Sequence, residues 1–256
     1  MDHSPIFDFH LRFVPRPGGL DRLLATMDSC RIDRAVACAG GVIDLDLLSR
    51  QLIVGGHIED DANNDATLAA CERSGGRLVP FFLANPHRDP DRYRSRAHEF
   101  RGLELQPPVH GIPLCDERVI ALVTAAAEFG QPVYVVCTTW PGSGVADLVE
   151  LAGRFPGVTF VLGHSGIGSI DLYGVSLIAP QRNIHFETSG GYMCVLAAAL
   201  DRLGADRVLF GSEYPSQHPT VELAKYRALD LSPEHWKAVT WQNARRLLGL
   251  SGQESS

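Results

Sequence analysis

Residues 155–166 read Phe-Pro-Gly-Val-Thr-Phe-Val-Leu-Gly-His-Ser-Gly. The run Thr159–Gly163 is almost wholly apolar. A strand of that kind is covered on both faces, as in a parallel sheet. It stops at a His-Ser-Gly corner, so an ionisable side chain stands where the strand ends. The same pattern recurs along the chain in both directions. DRVLFGSEYP at 206–215, NIHFETSG at 183–190 and PVYVVC at 132–137 each carry an apolar run into a polar or thiol end. Strands are expected at Ile6–Leu11, Arg34–Ala39, Leu78–Ala84, Gly102–Gln106, Val133–Cys137, Thr159–Gly163, Ile184–Thr188 and Arg207–Gly211.

Amphipathic stretches lie between them. Leu20–Ser29, Ala62–Arg73, Glu117–Phe129, Val145–Arg154, Val195–Leu203 and Val221–Leu229 place apolar residues at helical spacing, and Pro233–Leu250 reads as a closing helix. Strand–helix alternation predicts a parallel sheet. Eight such units fit one α/β domain, a (β/α)8 TIM barrel spanning 1–256, with an open doubly wound sheet as the rival. The long connection 40–60 mixes Leu45, Leu48, Leu52 and Val54 with Gly55-Gly56, the composition of a lid insertion.

Composition narrows the function classes. The net charge is −7 and no basic stripe is present, which argues against nucleic acid as a partner. No apolar run is long enough to cross a membrane. Six cysteines without CxxC spacing, and a start without a secretory pattern, predict reduced thiols in a cytoplasmic protein. The expected partner is a small-molecule substrate. Barrels of this kind often form homodimers, although no residue pattern here signals one.

A barrel of this type places chemistry at the C-terminal strand ends. Asp8, His10 and Arg12 fall there on the first strand, and Glu104 and Gln106 on the fourth. Cys137, His164 and Glu213 end the fifth, sixth and eighth. Glu187 is expected to face solvent or the helix layer. His57, His87 and His110 are expected on the surface or in loops. Ionisable groups at one end of many strands are hard to explain by packing, because buried charges need partners.

The ordered set IFDFHLR, RLVPFFLANP, GLELQPP, PVYVVC, FPGVTFVLGHSG, NIHFETSG, DRVLFGSEYP and QNARRLLGL resembles the amidohydrolase-related family, a branch of the metal-dependent hydrolase superfamily. The resemblance implies the barrel and a divalent metal. It also implies hydrolases or decarboxylases of aromatic acids. The family pattern Asp-x-His-x-His ends here in Arg12, Cys137 stands for a ligand histidine, and Glu213 for a ligand aspartate. The fourth strand carries Glu104 and Gln106 where a lysine and a histidine are usual. His10 and His164 are retained.

Zinc accepts histidine, cysteine and carboxylate, so His10, Cys137 and Glu213 form a candidate ligand set with His164 nearby. Arg12 stays charged and opposes a dication unless Glu213 and Glu104 screen it. On that ground a metal-free site is the favoured reading, with Arg12 pairing with the carboxylates or clamping a substrate carboxylate. His164 is the candidate acid–base group and Glu213 the candidate carboxylate base. Arg12, Glu104 and Cys137 are the candidate substrate contacts, although Cys137 reads equally as a buried small hydrophobe. Asp8 is expected to orient His10. The function expected is hydrolysis of a small carbonyl compound, a lactone, amide or ester. The alternatives are a metal-dependent decarboxylase and a non-catalytic small-molecule-binding barrel.

Overall fold

The computed structural model describes residues 4–88 and 90–250. Strands β1 (Phe7–Phe13), β2 (Arg34–Ala39) and the first segment of β3 (Leu78–Pro80) pair in parallel. Strand β3 is interrupted at Phe81 and resumes at Phe82–Leu83. From there it pairs in chain order with β4 (Leu103–Leu105), β5 (Val133–Val135), β6 (Phe160–Leu162), β7 (Ile184–Glu187) and β8 (Val208–Leu209). The ring is completed through hydrogen bonds between β1 and the segment that follows β8. Phe9 N donates to Phe210 O at 2.8 Å, Glu213 N to His10 O at 2.9 Å and Arg12 N to Tyr214 O at 2.7 Å. The result is the expected barrel rather than an open sheet.

Side chains alternate between two layers. Phe7, Phe9, Val36, Cys38, Val79, Phe81, Tyr134, Val161 and Leu209 fill the interior, closed at the base by Ala244 and Leu248. Ala35, Ala37, Leu103, Leu105, Phe160 and Leu162 face outward and pack under helices. These helices include α1 (Gly19–Cys30), α3 (Asn64–Arg73), α6 (Glu117–Glu128), α7 (Val145–Arg154), α9 (Met193–Leu203) and α10 (Pro219–Ala228).

Strand β1 breaks the alternation where it matters. Its register runs from Asp8↔Ala35 to Leu11↔Ala37, three residues of β1 against two of β2. A bulge of this kind inserts one residue and re-aims side chains. Phe7 and Phe9 therefore fill the interior, and Leu11 and Phe13 face the helices. His10 and Arg12 consequently reach inward as well. His10 stacks on interior Tyr134 with ring centroids 4.2 Å apart.

Several boundaries differ from expectation. The strands are mostly shorter, since residues such as Cys137 and Gly211 have already left the ladder for the site loops. The short helices α4 (Pro90–Arg96), α5 (Pro107–His110) and α8 (Leu172–Ile178) offer too few turns for a periodic signal. The closing segment is not one α-helix. Pro233–Lys237 (α11) and Asn243–Leu247 (α12) flank a wider turn at Ala238–Gln242. That turn lets Val239 O accept from Phe210 N at 3.0 Å, while the Asn243 amide donates to Ala205 O and Val208 O. Within 40–60 the chain forms helix α2 (Leu45–Val54), started by Asp44, whose carboxylate accepts from Asp46 N and Leu47 N.

Candidate active site

Arg12, Glu104, Glu213 and His10 form one ion-paired floor at the C-terminal ends of the strands. The Arg12 guanidinium donates to Glu104 through Nη2 (2.9 Å) and Nη1 (3.4 Å), and to Glu213 Oε1 through Nε (2.8 Å). Glu104 Oε1 also accepts from Gln106 Nε2 at 2.7 Å and lies 3.1 Å from His10 Nε2. Burial would raise both carboxyl pKa values, but the adjoining Arg12 and imidazoles hold Glu104 and Glu213 well below the usual carboxylate range. Arg12 is thus a partner already taken by two carboxylates. Pairing with these carboxylates is one of the two positions expected for it, and its side chain also lines the cavity above.

His164 sits in a second network. Tyr134 Oη donates to Glu187 Oε2 at 2.6 Å, His164 N donates to the same oxygen at 3.0 Å, and Ser189 N donates to Oε1 at 2.6 Å. The Ser189 hydroxyl donates to Glu187 Oε2 at 3.0 Å, so it must accept from His164 Nδ1, 2.8 Å away. The proton of neutral His164 therefore rests on Nδ1, and the Nε2 lone pair faces Glu213 Oε2 at 3.5 Å. Burial is the main cause that lowers the His164 pKa, keeping the ring neutral. Glu187 is fully buried and holds His164 in place, contrary to the solvent-facing position expected for it.

The second network depends on glycines that clear space. A Cβ at Gly163 would lie 2.3 Å from the Tyr134 ring, and one at Gly211 would lie 2.3 Å from Glu187 Oε1. His164 (φ 51°) and Glu213 (φ 55°) occupy left-handed backbone, which L-residues adopt at a cost of about 1–3 kcal/mol each. Asp8 does orient its neighbour: its Oδ1 accepts from His10 N at 3.1 Å and from Ser212 N at 2.9 Å, and burial pushes its carboxyl up to about 7.

Three atoms converge between the networks. His10 Nδ1, His164 Nε2 and Glu213 Oε2 all lie within 4.8 Å of one another. His10 Nδ1 and Glu213 Oε2 are 2.6 Å apart, yet neither has a hydrogen-bond partner. With His10 Nε2–H directed at Glu104, Nδ1 presents a lone pair. Burial would lower the His10 pKa, but the Glu213 and Glu104 carboxylates around it hold it well above the usual imidazole value. These surroundings call for a positive charge at Nδ1, as a proton or a cation. Two imidazole lone pairs and a carboxylate oxygen aimed at one point fit a divalent cation with an open coordination position. The objection from Arg12 loses its force, because Glu104 and the far oxygen of Glu213 neutralise the guanidinium.

Cys137 does not join this trio. It is buried in the cavity wall, and burial pushes its thiol well up, so the ligand set brought together is His10, His164 and Glu213. Cys38, not singled out from the sequence, groups with His10 and Glu104 beneath the floor, its thiol raised to about 12 by burial. Its apolar surroundings in RAVACA gave no sign of this. His110, expected at the surface, is 1 % exposed, and burial lowers its pKa to about 4.

Above the floor opens a cavity of about 480 Å³. Arg12, His164, Glu213 and Gln106 line its base, and Cys137 a wall. Leu45, Leu48 and Leu52 of α2 line it from the side. No helix among the described residues is long and apolar enough to cross a membrane.

Residues 8–250 match the sequence profile of the amidohydrolase family (Amidohydro_2). No curated protein matches the chain. Among solved structures, 5-carboxyvanillate decarboxylase from Novosphingobium aromaticivorans, complexed with manganese, is similar at 18% identity. The match covers 96% of each chain with a TM-score of 0.71. A Pseudomonas putida protein named for 2-pyrone-4,6-dicarboxylic acid hydrolysis is 17% identical over 97% of this chain and 99% of its own, with a TM-score of 0.73. A TIM-barrel protein from Bordetella bronchiseptica is 18% identical over 97% of this chain and 100% of its own, with a TM-score of 0.75.

Proposed function

For a chain that belongs to the amidohydrolase family, whose members are hydrolases and decarboxylases, we propose hydrolysis of a small carbonyl compound, a lactone, ester or amide. The observation that carries this reading is the convergence of His10 Nδ1, His164 Nε2 and Glu213 Oε2 at the base of a cavity with largely apolar walls. A water in the gap beside His164 Nε2 and Glu213 Oε2 meets two lone-pair acceptors. One of them takes its proton and returns it to the leaving oxygen or nitrogen. Ser189 and Glu187 keep the Nε2 lone pair of His164 directed at that water. Arg12 and Glu104 fix Glu213 in place and offset its charge. Were a divalent cation such as zinc held by the three converging atoms, their lone pairs would be committed to it, and the cation in place of a free base would acidify the water and polarise the carbonyl.

The same trio also supports decarboxylation, the activity named for the Novosphingobium relative. Against it stands the pairing of Arg12 with Glu104 and Glu213, since no other arginine lines the cavity among the described residues to hold the carboxylate to be lost.

A panel of lactones, esters and anilides, followed by acid release, tests the proposal. Hydrolysis by the wild type is expected, with kcat/KM reduced about 10²–10⁴-fold by His164→Ala or Glu213→Gln. Release of carbon dioxide from aromatic acids, with no hydrolysis, would transfer the site to the decarboxylase reading. Activity that survived both substitutions would refute the roles assigned here.

A further inference from the structure

Resting on the hydrolytic reading, we infer that the substrate's body is uncharged and apolar, so that the enzyme selects neutral esters or lactones and rejects those bearing a free carboxylate. The cavity divides into a base and walls. The charged groups lining it among the described residues, Arg12 and Glu213, both belong to the base, where they pair with each other at 2.8 Å. Arg12 is bound at the same time to Glu104. The walls hold Val14, Val42, Leu45, Leu48, Leu52 and Val136 beside the neutral Ser169 and Ser216, with no lysine and no further arginine.

Recognition of a carboxylate uses a free guanidinium, an ammonium or a cluster of N–H donors. The walls present no cationic side chain. An anionic body would surrender its hydration to mainly aliphatic walls that offer neutral hydroxyls but no cation as partner, an unfavourable exchange. A cation at the base would engage the reacting carbonyl end and leave the walls unchanged. The side chains around the body therefore decide its polarity in either case.

Helix α2 adds a second observation. Leu45 (66 % exposed) and Leu52 (47 % exposed) line the cavity yet remain open to solvent. An apolar body lying beneath α2 covers that surface and gains from its removal from water. The volume of about 480 Å³ falls within the range of small-molecule sites.

The test compares substrates that differ only at the far end of the acyl chain. Phenyl hexanoate ends in a methyl group, and monophenyl adipate ends there in a carboxylate. The expected ratio of kcat/KM is about 100-fold in favour of the hexanoate. A preference below tenfold, or one for the adipate, overturns the inference. Leu48→Arg places a cation on the wall and is expected to narrow the gap at least tenfold by improving the adipate, and an unchanged ratio counts against the assignment. Should neither ester be hydrolysed, the hydrolytic reading fails by itself. Calorimetric binding of hexananilide against adipanilic acid then decides the inference separately. Tighter binding of the neutral anilide supports it, and equal or tighter binding of the acid overturns it.

Discussion

The two ends of the barrel are built from the same strands and hold opposite chemistries. On β1, Phe7 and Phe9 belong to the apolar lower interior, while His10, one residue further on, and Arg12, three further on, belong to an ion-paired floor. The bulge between Asp8 and Leu11 makes that switch within a single strand. At the lower end Phe9 packs edge-on to Phe81 with centroids 5.9 Å apart, and Leu248 closes the base. At the upper end burial is just as complete for His10 and Glu104, but hydrogen bonds and ion pairs join them to their neighbours, beside the stacking of His10 on Tyr134. The lower end stabilises the ring by excluding water. The upper end places charges in a poorly hydrated setting, where a partner lost on one side leaves a cost on the other.

The comparison is broken most severely by removing a charge at the upper end. Arg12→Leu strands two carboxylates and is expected to cost about 3–5 kcal/mol of stability. Urea denaturation measures this, and activity should be lost in the protein that stays folded. Phe9→Ala at the lower end is expected to cost about 3–5 kcal/mol as well, through a cavity in the interior. Its kcat per folded molecule should stay within about threefold of wild type, since the Phe9 side chain belongs to the apolar interior cluster and takes no part in the hydrogen bonds of the floor. If Phe9→Ala abolished kcat while Arg12→Leu left it intact, the division between the ends would be wrong.

A buried carboxylate beside the upper end sharpens the same point through pH. Glu222 is fully buried and pairs with Lys225, whose ammonium also holds Thr188 O at 2.9 Å. Burial raises the Glu222 pKa from 4.5 to about 7, against the pull of Lys225. A raised carboxyl contributes stability that is fully present below its unfolded value and is lost as pH rises through the folded one. Between pH 4.5 and about 7 the folded protein therefore loses up to about 3 kcal/mol from this group. Glu222→Gln does not titrate, so its Tm relative to wild type should be higher at pH 8 than at pH 5. An identical difference at both pH values would refute the shift.

Smaller effects are expected where packing meets the floor, and smallest on α2. Gly211→Ala presses on Glu187 and should cost about 1–3 kcal/mol with a fall in kcat, because Glu187 positions His164. Leu48→Ser should raise KM for a neutral ester severalfold while changing stability by no more than about 0.5 kcal/mol.

The lower end was readable in the sequence and the upper end only in outline. Near-continuous apolar runs such as VTFVLG mark strands covered on both sides, and their alternation with helical periods fixes the barrel. Placing His10, His164 and Glu213 at strand ends followed from the same reading. Their partners did not. Cys38 lies in an apolar strand, and Glu187 sits beside Thr188 and Ser189, so neither differs in local pattern from a packing or surface residue. The inward turn of both His10 and Arg12 depends on a bulge that period-two reading cannot show. The occupied state of Arg12 depends on Glu213, two hundred and one positions away. Contacts at that separation are set by closure of the ring, not by local spacing.

The account's central claim is that His10, His164 and Glu213 act as one ligand set. Its most direct test is metal analysis of protein purified without chelator, followed by calorimetric titration with zinc and manganese. The account predicts close to one divalent cation per chain in the wild type, with binding weakened at least about 100-fold in each of His10→Ala, His164→Ala and Glu213→Gln. A folded wild type that binds neither cation, or variants that bind as tightly as wild type, would contradict it.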